Sequence, residues 1–244
     1  QAYQTIPRWC SFIFKLQLVI LYFFAGIAKI NYDWLINAMP LRLWLPVKYD
    51  IPLIGYWLDE RWVAYFFSWA GMLYDVCIPF LLFWRRSVYY AVGLVLIFHI
   101  LTAILFPIIG MFPFIMLMAA LIFLPETFHE KVFRKLTWLF QNSKTEMEIK
   151  KNHFIKPYKL VYIALSLHFF IQIVLPLRYL LYAGSLFWTE EGYRFSWRVM
   201  LMEKAGYTTF TLVDKDSGVI KEINNANYLT PQQEKMMASQ PDMI

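Results

Sequence analysis

Of 244 residues, 59% are hydrophobic, 20% aromatic and only 16% charged, where an ordinary soluble domain carries about a quarter charged. That balance excludes a conventional soluble globule and predicts an all-α polytopic membrane bundle, with Trp and Tyr supplying interfacial belts. The net charge of +6 lies between apolar runs, where it orients spans; membrane lipid is the expected partner and nucleic acid is not.

The first apolar run, residues 12–29, is long enough to span a bilayer and ends on Lys29. A lysine placed there either snorkels its ammonium to the interface or, desolvated and neutral, serves as a base. Residues 31–61 follow, with Pro40, Pro46 and Pro52 set among Trp34, Trp44 and Trp57, and with Asp33 near the start. Aromatic pieces broken by proline in this way are expected to lie on the membrane face as a lid. The second span covers 62–84 and contains Asp75; Arg85 and Arg86 then make a basic turn. The long apolar run from Val88 is broken by Pro107 and Gly110, which divides it into spans at 88–106 and 111–124. The second of these is short enough to be tilted or partly re-entrant. Residues 126–159 are polar and partly helical, and a fifth span, 160–182, is interrupted by Pro176.

The basic residues give an independent orientation. Arg85 and Arg86, and a loop carrying Lys131, Arg134, Lys135, Lys144, Lys150, Lys151, Lys156 and Lys159, are expected on the cytoplasmic side. The lid has only Arg42, Lys48 and Arg61, so it faces outward, together with Lys29 and everything after Tyr182. The predicted division is a transmembrane core over 1–183 and the start of an exoplasmic α+β domain over 184–244. In the latter, 206–213 and 219–223 alternate as a hairpin around the turn Asp214 to Gly218, and Thr230-Pro231-Gln-Gln233 opens a helix. The chain opens on Gln1 and ends in mid-pattern, as a fragment of a longer protein is expected to do, and such a fragment is expected to be inactive alone.

Several polar residues lie where burial is costly. His99 and Thr102 share one face of the third span, and a mid-span histidine is either a hydrogen-bonded packing group or a proton handler. Asp75 either makes a helix–helix hydrogen bond or lines a polar cavity, and His168 in the fifth span reads as structural. His129 and His153 are expected in solvent. Arg178 and Arg194 bracket Trp188, Glu190 and Glu191, and each arginine either pairs with a neighbouring glutamate or clamps a carboxylate. Cys10 and Cys77 have no metal-ligand or redox spacing, no metal site is expected, and no P-loop, dinucleotide fingerprint or nucleophile elbow is present.

Three stretches in register carry a resemblance: Tyr22-Phe-Phe-Ala-Gly-Ile-Ala-Lys29-Ile-Asn-Tyr-Asp-Trp34, Phe98-His99-Ile-Leu-Thr102 through Gly110-Met-Phe112, and Trp188-Thr-Glu-Glu-Gly-Tyr-Arg-Phe-Ser-Trp197-Arg198. Together they resemble the vitamin K-dependent γ-glutamyl carboxylases and their bacterial relatives with HTTM domains. Ala28 stands where animal carboxylases carry the first of two lysines, and Lys29 matches the second. Between Leu105 and Gly110 the chain is one residue longer than the family pattern.

The resemblance implies that Lys29 deprotonates a reduced naphthoquinone, vitamin K or menaquinol, which reacts with O₂ to give a base strong enough to take a γ-proton from glutamate. CO₂ then adds, and the expected products are γ-carboxyglutamate and the quinone epoxide. Lys29 and His99 are the expected catalytic residues. Asp33, Trp34, Asp75 and Thr102 are expected at the quinol, and Arg194, Trp197 and Arg198 on the side of a glutamate-containing protein or peptide. The expected compartment is a bacterial inner membrane or the endoplasmic reticulum. A transporter, or a lipid- or quinone-binding HTTM protein without carboxylase activity, is the alternative.

Overall fold

A computed structural model describes residues 8–139 and 159–239. Lys144, Lys150, Lys151, Lys156 and His153, all assigned above to the cytoplasmic loop, lie outside the described residues.

Four helices among the described residues are long and apolar enough to cross a membrane: α1 (Arg8–Ala28), α2 (Arg61–Phe83), α3 (Val88–Leu105) and a last one over Lys159–Leu181. Most side chains on α1 to α3 face outward, since only 28%, 39% and 33% of their apolar windows are buried. That is the burial of a thin bundle whose outer faces meet lipid rather than water.

The segment expected as the fourth span is built differently. Helix α4 (Phe112–Ala120) continues as a 3₁₀ turn over Leu121–Phe123. Leu124 is then extended, as the residue before Pro125 must be, and the chain bends by 111° into α5 (Glu126–Leu139). The twelve helical residues Phe112–Phe123 reach about 20 Å, short of the hydrocarbon thickness of about 30 Å, so this segment makes a fifth span only if the bent pair counts as one. Helix α6 (Lys159–Val174) tightens into 3₁₀ turns over Leu175–Leu181, where Pro176 has no N–H to continue the α-ladder.

The lid of residues 31–61 is a series of short turns, Tyr32–Leu35, Leu41–Trp44 and Gly55–Leu58. It is pinned by apolar side chains: Leu41, Leu45 and Leu58 are buried with Ala28, Val63, Ala64 and Leu105 in one cluster at the ends of α1, α2 and α3. A second cluster, with Tyr22, Ile78, Leu82, Val92, Val95, Met116 and Phe123, fills the body of the bundle.

Packing divides the chain into Gln1–Leu201 and Met202–Ile244. The residues between 184 and 201 therefore go with the helical unit, where Leu201 joins the lid cluster. In the second unit, strands β1 (Phe210–Val213) and β2 (Ile220–Ile223) pair antiparallel, with Phe210 opposite Ile223 and Val213 opposite Ile220. The turn is closed by Asp214, whose carbonyl accepts from the Gly218 N–H at 2.9 Å. Helix α7 (Pro231–Ser239) begins with a reciprocal cap: the Thr230 hydroxyl accepts from the Gln233 N–H, and the Gln233 side chain accepts from the Thr230 N–H. The fold is thus a membrane helical bundle followed by a small two-stranded α+β unit.

Candidate functional site

Lys29 follows the last residue of α1, and its ammonium turns inward. Nζ donates to Asp75 Oδ2 at 2.6 Å and to the Ala25 carbonyl at 3.3 Å, and it lies 5.5 Å from the centre of a Trp34 ring. Both charged residues are buried, Lys29 at 8% exposed and Asp75 at 5%. The sequence leaves Lys29 between snorkelling and chemistry; the structure buries its ammonium and gives it a carboxylate. A buried unpaired charge is prohibitively costly, and the pair makes the site neutral overall.

Close backbone approach makes the pair possible. A Cβ built on Gly26 would lie 2.7 Å from Val76 Cγ2 and 2.9 Å from the Val76 backbone nitrogen, so α1 and α2 touch there only because residue 26 has none. Within α2 the Asp75 carbonyl also lacks its usual helix donor, since Pro79 has no N–H to give it.

Beside this pair, α1, α2 and α3 bring three more polar side chains together. Tyr74 Oη donates to Tyr22 Oη at 3.5 Å, and Tyr22 Oη lies 3.0 Å from His99 Nε2. The Tyr74 ring stacks on Phe98 with centroids 3.9 Å apart. Lys29, Asp75, Tyr22, His99, Thr102 and Trp34 all line one cavity of about 120 Å³, whose remaining walls are largely apolar and aromatic, among them Phe67, Phe106 and Phe112.

Trp34 is anchored as part of the wall. Its Nε1 donates to the Ser68 carbonyl at 2.8 Å, and the Ser68 hydroxyl donates to the Trp34 carbonyl. Thr102 spends its hydroxyl on the Phe98 carbonyl at 2.7 Å, within its own helix. Asp33 is exposed in the first turn of the short helix Tyr32–Leu35, accepts from Asn37 at 3.3 Å, and does not line the cavity.

The segment after α6 supplies one more wall. Trp197, Val199 and Met200 line the cavity, whereas Arg194 and Arg198 do not. Glu190, Phe195, Trp197 and Met200 all take left-handed backbone angles, with φ between 56° and 58°. Such angles cost about 1–3 kcal/mol each for residues with a side chain, and surrounding contacts must enforce them. Gly192 enters the same segment with φ 78°, where a Cβ would meet the Tyr179 backbone at 2.7 Å. Arg178 Nη2 donates to the Arg194 carbonyl at 3.0 Å, and Arg198 lies 4.5 Å over the Tyr179 ring. Burial pulls the Arg198 guanidinium below the usual arginine range, and the neighbouring Tyr179 and Tyr193 hydroxyls partly offset this.

Tyr22 and Tyr74 are the site residues that sequence reasoning misses. Tyr22 lies seven residues before Lys29, two helical turns along the same face, and that spacing was a usable signal.

A family profile described as the HTTM domain matches residues 1–128, and one described as the vitamin K-dependent gamma-carboxylase lumenal domain matches residues 157–244. No solved structure matches the chain.

Proposed function

Since the chain belongs to the vitamin K-dependent γ-carboxylase family, we propose that it carboxylates protein glutamate to γ-carboxyglutamate using reduced vitamin K or menaquinol, O₂ and CO₂. The observation that carries this reading is the buried Lys29–Asp75 pair on the wall of an aromatic cavity among the apolar helices. The residues suit a reduced naphthoquinone. Phe67, Phe106 and Phe112 offer flat apolar contact, Lys29 offers a nitrogen, and a buried ring nitrogen of His99, Nδ1, has no partner among the described residues.

When bound, the quinol supplies with O₂ a base stronger than any side chain, which is what removal of a glutamate γ-proton requires. Lys29 Nζ takes the quinol proton. It can do so because Asp75 Oδ2, already at 2.6 Å, takes the ammonium proton first, leaving a free amine and a carboxylic acid with no net change in charge. The apolar walls keep bulk water from the pair. Arg194 and Arg198, outside the cavity lining, belong to the exoplasmic side from which a glutamate-containing peptide arrives, and Trp197 stands between that side and the cavity it lines. The protein works in a bacterial inner membrane or in the endoplasmic reticulum, with its C-terminal part outside the cytoplasm.

The test is incorporation of labelled CO₂ into a glutamate peptide by membranes from cells expressing the natural gene. Incorporation that requires reduced menaquinone is expected. Quinone binding with no incorporation at any quinol concentration would replace the carboxylase reading with that of a quinone- or lipid-binding HTTM protein.

A further inference from the structure

Helix α5 leaves the bundle sideways. Helix α4 runs along α3, from Phe112 beside His99 to Phe123 beside Phe83 of α2, with ring centroids 6.3 and 5.5 Å apart. The 111° bend that follows turns α5 across the direction of the spans. The Arg85–Arg86 turn lies at the same end. Leu82 and Val88, on either side of it, are buried in one cluster with Phe123 and Leu124, and Phe128 of α5 packs against that cluster. Lys15 of α1 joins them, its ammonium 5.5 Å over the Phe123 ring. Trp84, Tyr89 and Tyr90 are exposed around the turn, which is where aromatic residues meet lipid headgroups.

The side chains of α5 are divided as a helix lying in that layer requires. At 3.6 residues per turn, Phe128, Val132 and Leu136 stack on one face, and Val132 and Leu136 are exposed. Lys131 and Lys135 line one edge of that face, and Glu126 and Glu130 lie towards the other. An apolar face of this kind is accepted at the boundary between headgroups and acyl chains.

Charge says which lipid. Arg85, Arg86, Lys131 and Lys135 are exposed, and none is in an ion pair among the described residues. With Lys15 and Arg134 they make six basic residues against two acidic ones, Glu126 and Glu130. A zwitterionic headgroup carries no net charge to answer that excess, and an anionic one does.

We propose that this end of the bundle is a docking surface for anionic phospholipid. Helix α5 lies in the headgroup layer of the cytoplasmic leaflet with Val132 and Leu136 towards the acyl chains, and Arg85, Arg86, Lys131 and Lys135 hold lipid phosphate. Arginine meets a phosphate with two parallel N–H groups and lysine with one compact charge. The surface is at the end of α1 away from Lys29, and it stands or falls independently of carboxylation.

The experiment titrates the intact protein in detergent with fluorescent short-chain phosphatidylglycerol and phosphatidylcholine. Wild type is expected to prefer phosphatidylglycerol, and 1 M salt to remove most of the preference, since it shortens the screening length to about 3 Å. Arg85→Gln/Arg86→Gln and Lys131→Gln/Lys135→Gln are each expected to lower the preference, by about fivefold for each charge removed. The four side chains are exposed, so neither pair of substitutions threatens the fold. Arg42→Gln/Arg61→Gln removes the same charge from the lid and is expected to leave the preference unchanged. An equal fall in the lid variant, or no fall in the other two, would overturn the proposal. A second measurement places α5 directly, with a fluorophore on Val132→Cys in a Cys10→Ser/Cys77→Ser background in nanodiscs containing phosphatidylglycerol. Quenching by brominated lipid is expected. Quenching by aqueous iodide instead would leave the face to a soluble partner, quenching by neither would mean that a second copy covers it, and each of these would overturn the proposal.

Discussion

At the scale of residues, the buried Lys29–Asp75 pair dominates. Removing one partner leaves the other charged in an apolar surrounding, which costs about 3–5 kcal/mol. Lys29→Met and Asp75→Leu are each expected to destabilise the protein by about that amount, measured by denaturant unfolding in lipid. The double variant removes both charges and is expected to recover most of the stability, because buried pairs often yield to apolar replacements of similar volume. It is expected to recover no activity. A double variant as unstable as either single one would contradict the coupling. Lys29 is legible in the sequence because a lysine ending an apolar span is conspicuous. Its partner is not, because a pair 46 residues apart in the chain forms only where two helices cross.

At the scale of elements, that crossing depends on Gly26. A methyl group at this position meets backbone as well as side chain of α2, and backbone cannot swing aside. Gly26→Ala is expected to cost about 1–3 kcal/mol by overpacking and to spread Lys29 from Asp75. Carboxylation should therefore fall more steeply than quinone binding, and equal falls in both would argue against this geometry. The hairpin offers a test in the second unit. The Asp214 carboxylate accepts from the N–H groups of Ser217 and Asp216 at 2.8 Å each, which holds it below the usual carboxylate range. A depressed carboxyl stabilises the turn at pH above its unfolded value of about 3.9, and the contribution is lost as pH falls through the lower folded value. Amide protection of β1 and β2 is expected to weaken over that acid window in wild type. In Asp214→Asn it should start lower and change little with pH.

The same scale shows where sequence patterns stop being informative. Hydrophobic runs locate α1, α2, α3 and α6 closely, and the Thr230–Gln233 cap marks the start of α7, since both signals are local. The bend after Phe123 is only partly legible. Length and proline indicate an incomplete span, but not the 111° angle at which the two helices meet. The left-handed positions at Phe195, Trp197 and Met200 have no sequence signature at all, because residues with side chains take them only under tertiary constraint. For the same reason Trp197 reads from the sequence as substrate-side and is found in the cavity wall.

At the scale of the whole molecule, the bundle gathers α1, α2 and α3 around one aromatic cavity, and the segment after α6 adds Trp197 to its wall. A membrane location suits a lipid-soluble cofactor, and a neutral buried pair suits a base that must work without water. The central claim is that Lys29 is this base. The most direct measurement is the rate of reduced-menaquinone-dependent incorporation of labelled CO₂ into a glutamate peptide, comparing wild type with Lys29→Ala at equal amounts of membrane-inserted protein. A properly placed general base contributes about 10²–10⁴-fold, so the account predicts a fall of at least about a hundredfold with quinone binding largely kept. Incorporation at the wild-type rate in Lys29→Ala would contradict it.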